Sequence, residues 1–230
     1  MTAHYLLTRD SPETVDPLWD EHASSLLGWV RSSFGRGPFL GAWGIDEQWA
    51  PGKNGCCSPV GLGSTTSRWA AANALLYART GDQRARELAI RSLNYATYFA
   101  TRDGRISCCG QRSYNTFWFS DGYGDYLRSF NWAMAAMPEL APKRQNHLLG
   151  SSSVVQSVSY GRRQIAYRTY DSASTEVLRL SFRPGQVTAG GVLAARSDLA
   201  GEGYVVEPLG GGDFAVRIRH DHARRIRIQG

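Results

Sequence analysis

The sequence lacks the features that mark membrane-spanning and exported proteins. No stretch approaches about 18 uninterrupted apolar residues, which excludes a transmembrane helix and a membrane partner. Met1 is not followed by a basic segment and a long apolar run, so no signal peptide is indicated. We therefore expect a cytoplasmic protein, with export left open if the N-terminus given is truncated.

Motifs for nucleotide binding and for serine nucleophiles are also missing. The chain has no P-loop, no dinucleotide-binding glycine fingerprint and no nucleophile elbow. The net charge of +6 is mild and comes largely from arginines in the last third, so we expect no nucleic-acid partner. The histidines are scattered without metal-ligand spacing to glutamate, at His4, His22, His147, His220 and His222. The oligomeric state has no signal in the sequence.

Composition changes near residue 150 and divides the chain. All seven Trp and all four Cys lie before Leu149, whereas the part after Gly150 has no Trp, Lys or Cys. Pro142, Gly150 and the serines at 151–153 are typical of a linker. We predict an α+β protein with a helical domain at 1–150 and an antiparallel, β-sandwich-like domain at 151–230.

Before the boundary, apolar residues recur at helical spacing. They predict helices over 17–34, 64–79, 83–101 and 120–137. Gly81 suits a left-handed C-cap and Asp82 an N-cap, so they predict a tight turn between the second and third helices. Long glycine-rich loops at 35–63 and 103–118 separate these helices, and loops of that length are usually functional.

After the boundary, apolar and polar residues alternate with a period of two. The pattern predicts strands at 154–160, 164–170, 176–182, 204–207, 214–220 and 225–229. Arg217, Arg219, Arg225 and Arg227 alternate with aliphatic residues in the last two strands. We interpret them as the solvent-facing side of edge strands, where charge prevents aggregation. Binding of an anionic ligand is the alternative.

Two short segments place acids between aromatics and glycines, an arrangement typical of sugar-processing sites. In the first, Asp46 and Glu47 lie between Trp43 and Trp49 in the loop 35–63. A carboxyl group beside Trp in a dry pocket acquires a raised pKa and can serve as a general acid. The alternative interpretation is a solvated loop acid beside tryptophans of the core.

The second acidic segment opens the fourth predicted helix. Asp121 and Asp125 are four residues apart and share one helix face. The positive end of the helix dipole lowers carboxyl pKa values, which favours a base or a sugar-hydroxyl acceptor. Simple capping of the helix is the alternative. We predict that Trp43, Trp118 and Tyr123 form a stacking platform for a saccharide substrate, and that the two acidic segments converge on one cleft.

The cysteines come as two adjacent pairs, one in each long loop. They are Cys56 with Cys57 and Cys108 with Cys109. Four thiolates suit tetrahedral Zn²⁺, although structural zinc sites normally space their cysteines two residues apart. An inter-loop disulfide and plain packing of reduced thiols are the alternatives. We expect the pairs to approach each other, with either no cofactor or a zinc ion.

A family resemblance rests on the predicted helical hairpin. Residues 69–82, in which Leu76-Tyr77 precedes the Thr80-Gly81-Asp82 turn, resemble the repeating unit of six-hairpin glycosidases. The resemblance implies a partial α/α toroid followed by a β-sandwich, and cleavage of a saccharide by general acid/base chemistry. Separately, the run Cys56-Cys57-Ser58-Pro59 is similar to the adjacent cysteines of zinc-dependent β-L-arabinofuranosidases.

A complete toroid of that family needs about twelve helices, and the pattern here predicts four. We therefore expect the chain to be the C-terminal part of a larger protein, inactive alone as a glycoside hydrolase. In the catalytic hypothesis Asp46 or Glu47 donates the proton, and Asp121 or Asp125 orients water or holds a sugar hydroxyl. The competing hypothesis is a non-catalytic protein of helical repeats and a β-sandwich that binds a glycan or a protein partner.

Overall fold

The protein is α+β, with helices first and antiparallel sheets at the C-terminal end. A computed structural model describes residues 2–31, 34–35, 44–46, 61–97 and 119–230. The chain divides into two compact units, Met1–Ala136 and Met137–Gly230.

The first unit is built from five helices and a small sheet in its described part. The helices are α1 (Thr2–Leu7), α2 (Trp19–Arg31), α3 (Gly63–Thr80), α4 (Gln83–Thr97) and α5 (Phe119–Ala136). The strands β1 (Phe34–Gly35), β2 (Gly44–Asp46) and β3 (Gly61–Leu62) form an antiparallel sheet in that order. This sheet lies in a region where the sequence predicted only a loop.

Helix α3 is the centre of the first unit, because it contacts α1, α2, α4, α5 and the strand β2. Its alanines make this arrangement feasible: Ala70, Ala71 and Ala74 have no exposed surface, and their small side chains let neighbouring helices approach closely. The indole nitrogen of Trp69 donates to the Leu27 carbonyl oxygen at 3.1 Å, which joins α3 to α2. The alanines therefore favour α3 in two ways: alanine has a high helix propensity, and its small side chain suits close helix packing.

The turn between α3 and α4 confirms the predicted caps. Gly81 has a φ of +74°, a left-handed conformation that costs glycine little, and its N–H donates to the Tyr77 carbonyl oxygen at 2.7 Å. The Asp82 carboxylate accepts a hydrogen bond from the backbone N–H of Arg84 at 2.9 Å, as an N-cap does. Both contacts are local in sequence, which explains why the pattern was sufficient to predict them.

The second unit contains nine strands in two antiparallel sheets. They are β4 (His147–Ser151), β5 (Val155–Tyr160), β6 (Gln164–Thr169), β7 (Ser174–Leu180), β8 (Gln186–Ala189), β9 (Gly191–Val192), β10 (Gly203–Gly210), β11 (Asp213–His220) and β12 (Arg225–Gln229). One sheet has the order β10-β11-β7-β4 and the other the order β5-β6-β12-β8-β9. A short 3₁₀ turn at Pro138–Leu140 precedes β4.

Both sheets contribute to one apolar core, so the unit is β-sandwich-like. Buried side chains of the five-stranded sheet pack with those of the four-stranded sheet in a single cluster. The largest members without exposed surface are Ile165, Leu178, Leu180, Ile218, Ile226 and Ile228. In β12 the alternation is complete: Ile226 and Ile228 are buried, and Arg225, Arg227 and Gln229 are exposed.

Three expectations about the strands need correction. The segment that we interpreted as linker contains β4, and the strands β8 and β9 were not predicted. The arginine-bearing strands are not edges: β11 lies between β10 and β7, and β12 lies between β6 and β8. The period-two pattern shows which side of a strand faces solvent, but it carries no information about the strand's position in the sheet.

The predicted α/α toroid is wrong, so the helix count of a toroid no longer gives a reason to expect the chain to be inactive alone. The described residues form five helices, and the chain after Met137 is β-structure rather than further helical hairpins. The features that carried the resemblance were an alanine-rich helix and a Gly-Asp turn. Both follow from local helix chemistry and fit any helical hairpin, which explains why they did not specify a toroid.

A buried arginine attaches the start of the second unit to its four-stranded sheet. Arg179 lies on the outer face of β7, yet only 2% of the residue is exposed. Its Nη1 donates to the carbonyl oxygens of Pro138, Glu139 and Ala141 at 3.1, 3.1 and 2.6 Å. Its Nε and Nη2 donate to the Asp213 carboxylate at 3.1 and 2.6 Å. All three nitrogens of the guanidinium group therefore donate to acceptors on one side chain and one turn.

We predict that Arg179→Met destabilises the β-unit by about 3–5 kcal/mol, because it removes the guanidinium charge and hydrogen bonds from the buried Asp213 carboxylate and from three backbone carbonyl groups. Urea unfolding followed by circular dichroism measures the loss. Arg217→Met is the matched control, since Arg217 pairs with Glu207 at the surface and its removal costs about 1 kcal/mol or less. Equal losses in the two variants would contradict the role given to Arg179.

Candidate functional site

A cavity of about 380 Å³ lies within the first unit. Its volume is in the range of small-molecule sites, roughly 300–1,000 Å³. Helices α1, α2, α3 and α5 each contribute to its wall, which is mainly apolar. The lining residues that matter most for recognition are three tryptophans and three basic side chains: Trp29, Trp69, Trp132, His4, Arg68 and Arg128.

The three tryptophans differ in how firmly they are held. Trp69 is 5% exposed and is fixed by its hydrogen bond to α2. The Trp132 ring contacts the His4 ring at a centroid distance of 4.2 Å, and the guanidinium carbon of Arg128 lies 5.0 Å from its centroid. Trp29 is 75% exposed. The cavity thus has two indoles with the contacts named above and a third, Trp29, that is largely exposed to solvent.

Three side chains of basic residues line the cavity: His4, Arg68 and Arg128. Burial, together with the positive charge of Arg128, lowers the pKa of His4, which favours the neutral imidazole. The Nε2 atom of His4 is buried and has no hydrogen-bond partner in the described part of the chain. A buried polar atom without a partner is costly, and a ligand hydroxyl could remove that cost.

Sequence reasoning missed most of this cavity. Trp69 opens the predicted helical hairpin and is buried, and it also lines the cavity. His4, Trp29 and Trp132 lie on three different helices and were not selected. The signal that could have found them is the spread of Trp over successive helices, but only their packing shows that they meet.

The predicted acidic residues lie on elements around the same helix. The structure describes the backbone of Asp46 at the end of β2, and those of Asp121, Tyr123 and Asp125 within α5. Both β2 and α5 contact α3. Glu47, Trp43 and Trp118 lie outside the described residues, so the convergence of the two acidic segments on one cleft stays a prediction.

The cysteine pairs, at 56–57 and 108–109, also lie outside the described residues. Within the described part of the chain, no group of three or more His, Cys, Asp or Glu is arranged to hold a metal ion. Zinc, the inter-loop disulfide and plain packing therefore stay alternatives.

The second unit contains a buried polar cluster that the sequence did not predict. The Glu176 carboxylate lies inside the sandwich with no exposed side-chain surface. Its Oε1 accepts from Ser174 at 2.5 Å and from Ser151 at 3.1 Å. Its Oε2 accepts from the Tyr167 hydroxyl at 3.0 Å and lies 3.1 Å from Nε2 of His220. Tyr167 belongs to the five-stranded sheet, so this carboxylate joins the two sheets.

The ionisation states of Glu176, His220 and Tyr167 are determined by burial and by the contacts among them. Burial raises the pKa of Glu176, but the hydrogen bonds from His220 and Ser174 outweigh it and bring the pKa below 4.5. Burial lowers the pKa of His220, but the Glu176 carboxylate outweighs it and raises the pKa above 6.5. Burial and the same carboxylate raise the pKa of Tyr167 well above 10.0. The geometry therefore favours a buried Glu⁻–His⁺ pair with a neutral phenol.

The cluster is not a serine-hydrolase triad. A triad places the acid on one ring nitrogen of histidine and the serine on the other. Here Ser174 and Glu176 both face Nε2 of His220, and Nδ1 faces the Ser172 carbonyl oxygen at 3.0 Å. The His220 and Glu176 side chains have no exposed surface, so a substrate has no access to them. We assign the cluster to stability.

Comparisons with family models, curated proteins and solved structures give no match to this chain. Together with the five helices and the β-rich second unit, this result overturns the resemblance to six-hairpin glycosidases and to zinc-dependent β-L-arabinofuranosidases. In the part of the chain that the structure describes, no helix is long and apolar enough to cross a membrane.

The buried pair predicts a pH dependence of stability. The raised pKa of His220 contributes stability that is fully present below about pH 6.5 and is lost as pH rises through its folded value. The lowered pKa of Glu176 contributes stability that is present above about pH 4.5 and is lost as pH falls through its folded value. We expect the pair's contribution to be greatest between those two pH values.

We therefore expect the free energy of unfolding of the wild-type β-unit to fall as the pH rises above about 6.5. His220→Gln should reduce this fall, because it removes the group whose titration causes it. Urea unfolding at a series of pH values measures it. His222→Gln is the matched control, because His222 is exposed and two residues away. An unchanged pH slope in His220→Gln would show that the pair does not carry the dependence.

Proposed function

We propose that this protein is carbohydrate-active: it binds a saccharide at the tryptophan-lined cavity of its first unit and cleaves it by general acid/base chemistry. The observation that carries the proposal is the cavity, which combines three indoles with buried and partly buried hydrogen-bond donors. Flat aromatic surfaces pack against the apolar faces of pyranose rings, and donors nearby fix the hydroxyl groups.

The acidic segments supply the catalytic part of the proposal. Helix α5 lines the cavity with Arg128 and Trp132 and carries Asp121 and Asp125 nearer its N-terminal end. Strand β2 ends at Asp46 and contacts α3, which lines the cavity with Trp69. In this proposal Asp46 or Glu47 protonates the glycosidic oxygen, and Asp121 or Asp125 orients the attacking water.

Saccharide binding without cleavage is the second candidate. It is favoured by the composition of the cavity wall, because none of its described lining residues is Asp or Glu. Cleavage needs two carboxyl groups about 5–10 Å apart across the bond, whereas binding needs only the aromatic platform and the donors. The two candidate functions therefore differ in whether the acidic residues are needed: cleavage requires them and binding does not.

Asp121→Asn and Asp125→Asn should each lower kcat at least about a hundredfold with the fold intact, because each removes a carboxylate that positions or activates water. Glu47→Gln is the companion test of the proton donor. Release of reducing ends from a panel of polysaccharides identifies the substrate, and kcat is then measured on it. Glu87→Gln on α4 is the control, since Glu87 pairs with Arg91 at the surface. Normal turnover in all three test variants would exclude the acid/base assignment and leave the binding function.

Trp29→Ala and Trp132→Ala should weaken saccharide binding at least about fivefold, which corresponds to roughly 1 kcal/mol of lost aromatic contact. Calorimetric titration with the best-binding oligosaccharide measures the change. Tyr170→Ala removes an exposed aromatic ring from the other unit and should leave the affinity unchanged. Wild-type affinity in both Trp variants would show that the cavity is not the saccharide site.

A further inference from the structure

The outer face of the five-stranded sheet is polar and basic, apart from the exposed Val192 on its edge strand β9. All of its outward residues are described. Exposed arginines on this face are Arg168 on β6 and Arg225 and Arg227 on β12. We call these three side chains and their neighbours the arginine face.

The register of the sheet arranges this face in rows. Arg225 lies directly opposite Arg168, and Ser157 continues that row on β5. Arg227 lies in the next row between Ala166 and Thr188, whose small side chains leave space around it. A third row consists of glutamines contributed by three adjacent strands, Gln164, Gln229 and Gln186. Arginines and amides therefore share one surface, with rows about 6.6–6.8 Å apart along each strand.

In the part of the chain that the structure describes, no ion pair balances the positive charge of this face. Like charges placed directly opposite each other in a sheet are destabilising, as for Arg168 and Arg225. No residue on the face is acidic, and in the described part of the chain none of the three arginines takes part in an ion pair. Four acids of the second unit form ion pairs with other residues: Glu176, Glu207, Asp213 and Asp221.

We propose that the arginine face binds an acidic polysaccharide, with its carboxylate or sulfate groups on the arginines and its hydroxyls on the glutamines and serines. A guanidinium group presents paired N–H donors that match the two oxygens of a carboxylate or sulfate. The adjacent amide and hydroxyl side chains both donate and accept, which suits sugar hydroxyls. The face belongs to the second unit and does not depend on the cavity function.

A polysaccharide fits the chemistry of this face better than a nucleic acid does. Binding of single strands relies on a series of aromatic side chains that stack on successive bases. The outward positions within these strands carry none, and a single exposed ring, Tyr170, follows the end of β6. Recognition of a duplex uses an element that enters a groove, whereas these arginines lie on the face of a five-stranded sheet. Hydroxyl and amide side chains beside arginines match a polymer with many hydroxyls and regularly placed acids.

Binding is tested on the full chain by affinity electrophoresis and calorimetric titration. The probes are polygalacturonate, dextran sulfate, neutral dextran and a single-stranded DNA oligonucleotide. We expect binding to one or both acidic polysaccharides, no retention by neutral dextran, and affinity that falls at least about tenfold between 50 and 200 mM salt, by the general behaviour of polyanion binding. The preferred polymer shows whether carboxylates or sulfates are recognised.

The triple variant Arg168→Gln, Arg225→Gln, Arg227→Gln should lose at least about tenfold in affinity. The corresponding triple Arg→Lys variant keeps the charge but loses the paired donors, and should bind with intermediate affinity. Arg84→Gln with Arg91→Gln on α4 removes surface charge elsewhere and should bind like wild type. Arg227→Gln alone provides the measurement if the triple variant does not fold, with a loss of about threefold or more.

The proposal is overturned if the wild type binds neither acidic polymer, if the α4 control loses as much affinity as the triple Gln variant, or if DNA binds more tightly than both polysaccharides. Trp29→Ala separates this inference from the cavity function. It should abolish or weaken oligosaccharide binding at the cavity while leaving binding of the acidic polymer unchanged.

Discussion

The Glu176 carboxylate is the interaction on which the second unit depends. It receives hydrogen bonds from strands of both sheets, through Ser174 and Ser151 on one side and Tyr167 on the other, and it faces His220. A charge in an apolar interior is costly unless every acceptor position is used, and here the partners supply that compensation. The same compensation fixes the relative placement of the sheets at that end, since a shifted strand would leave the carboxylate without its donors.

The two outer faces of the sandwich are used in different ways. On the four-stranded sheet, Arg179 donates hydrogen bonds to carbonyl groups of the segment 138–141, and the arginine is buried. On the five-stranded sheet, the arginines stay exposed and lie close to one another without acids. Burial with complete hydrogen bonding makes the first arginine a structural residue, whereas exposure without a counter-charge makes the others available to a ligand.

In the first unit, α3 lines the cavity and also contacts β2 and α5, the elements whose backbones carry Asp46, Asp121 and Asp125. The helix contacts every other helix as well as β2, and its small alanines bring those neighbours close. Indoles from α2, α3 and α5 line the cavity. Trp69 is fixed by its hydrogen bond to α2 and Trp132 packs against His4, and rings held in this way would lower the entropic cost of the proposed saccharide binding.

The sequence by itself determined the features that depend on neighbours within a few residues. The α+β order, the Gly81 and Asp82 caps and the alternation in β12 were all predictable, because cap chemistry and side-chain periodicity act locally. Only the tertiary structure decided what depends on residues far apart in the chain. It placed β12 inside its sheet, joined Glu176 to His220 and brought Trp69 to Trp132, because strand order and helix packing are set by the burial of whole faces. The toroid was wrong for the same reason, since one hairpin's local chemistry cannot specify how many hairpins follow.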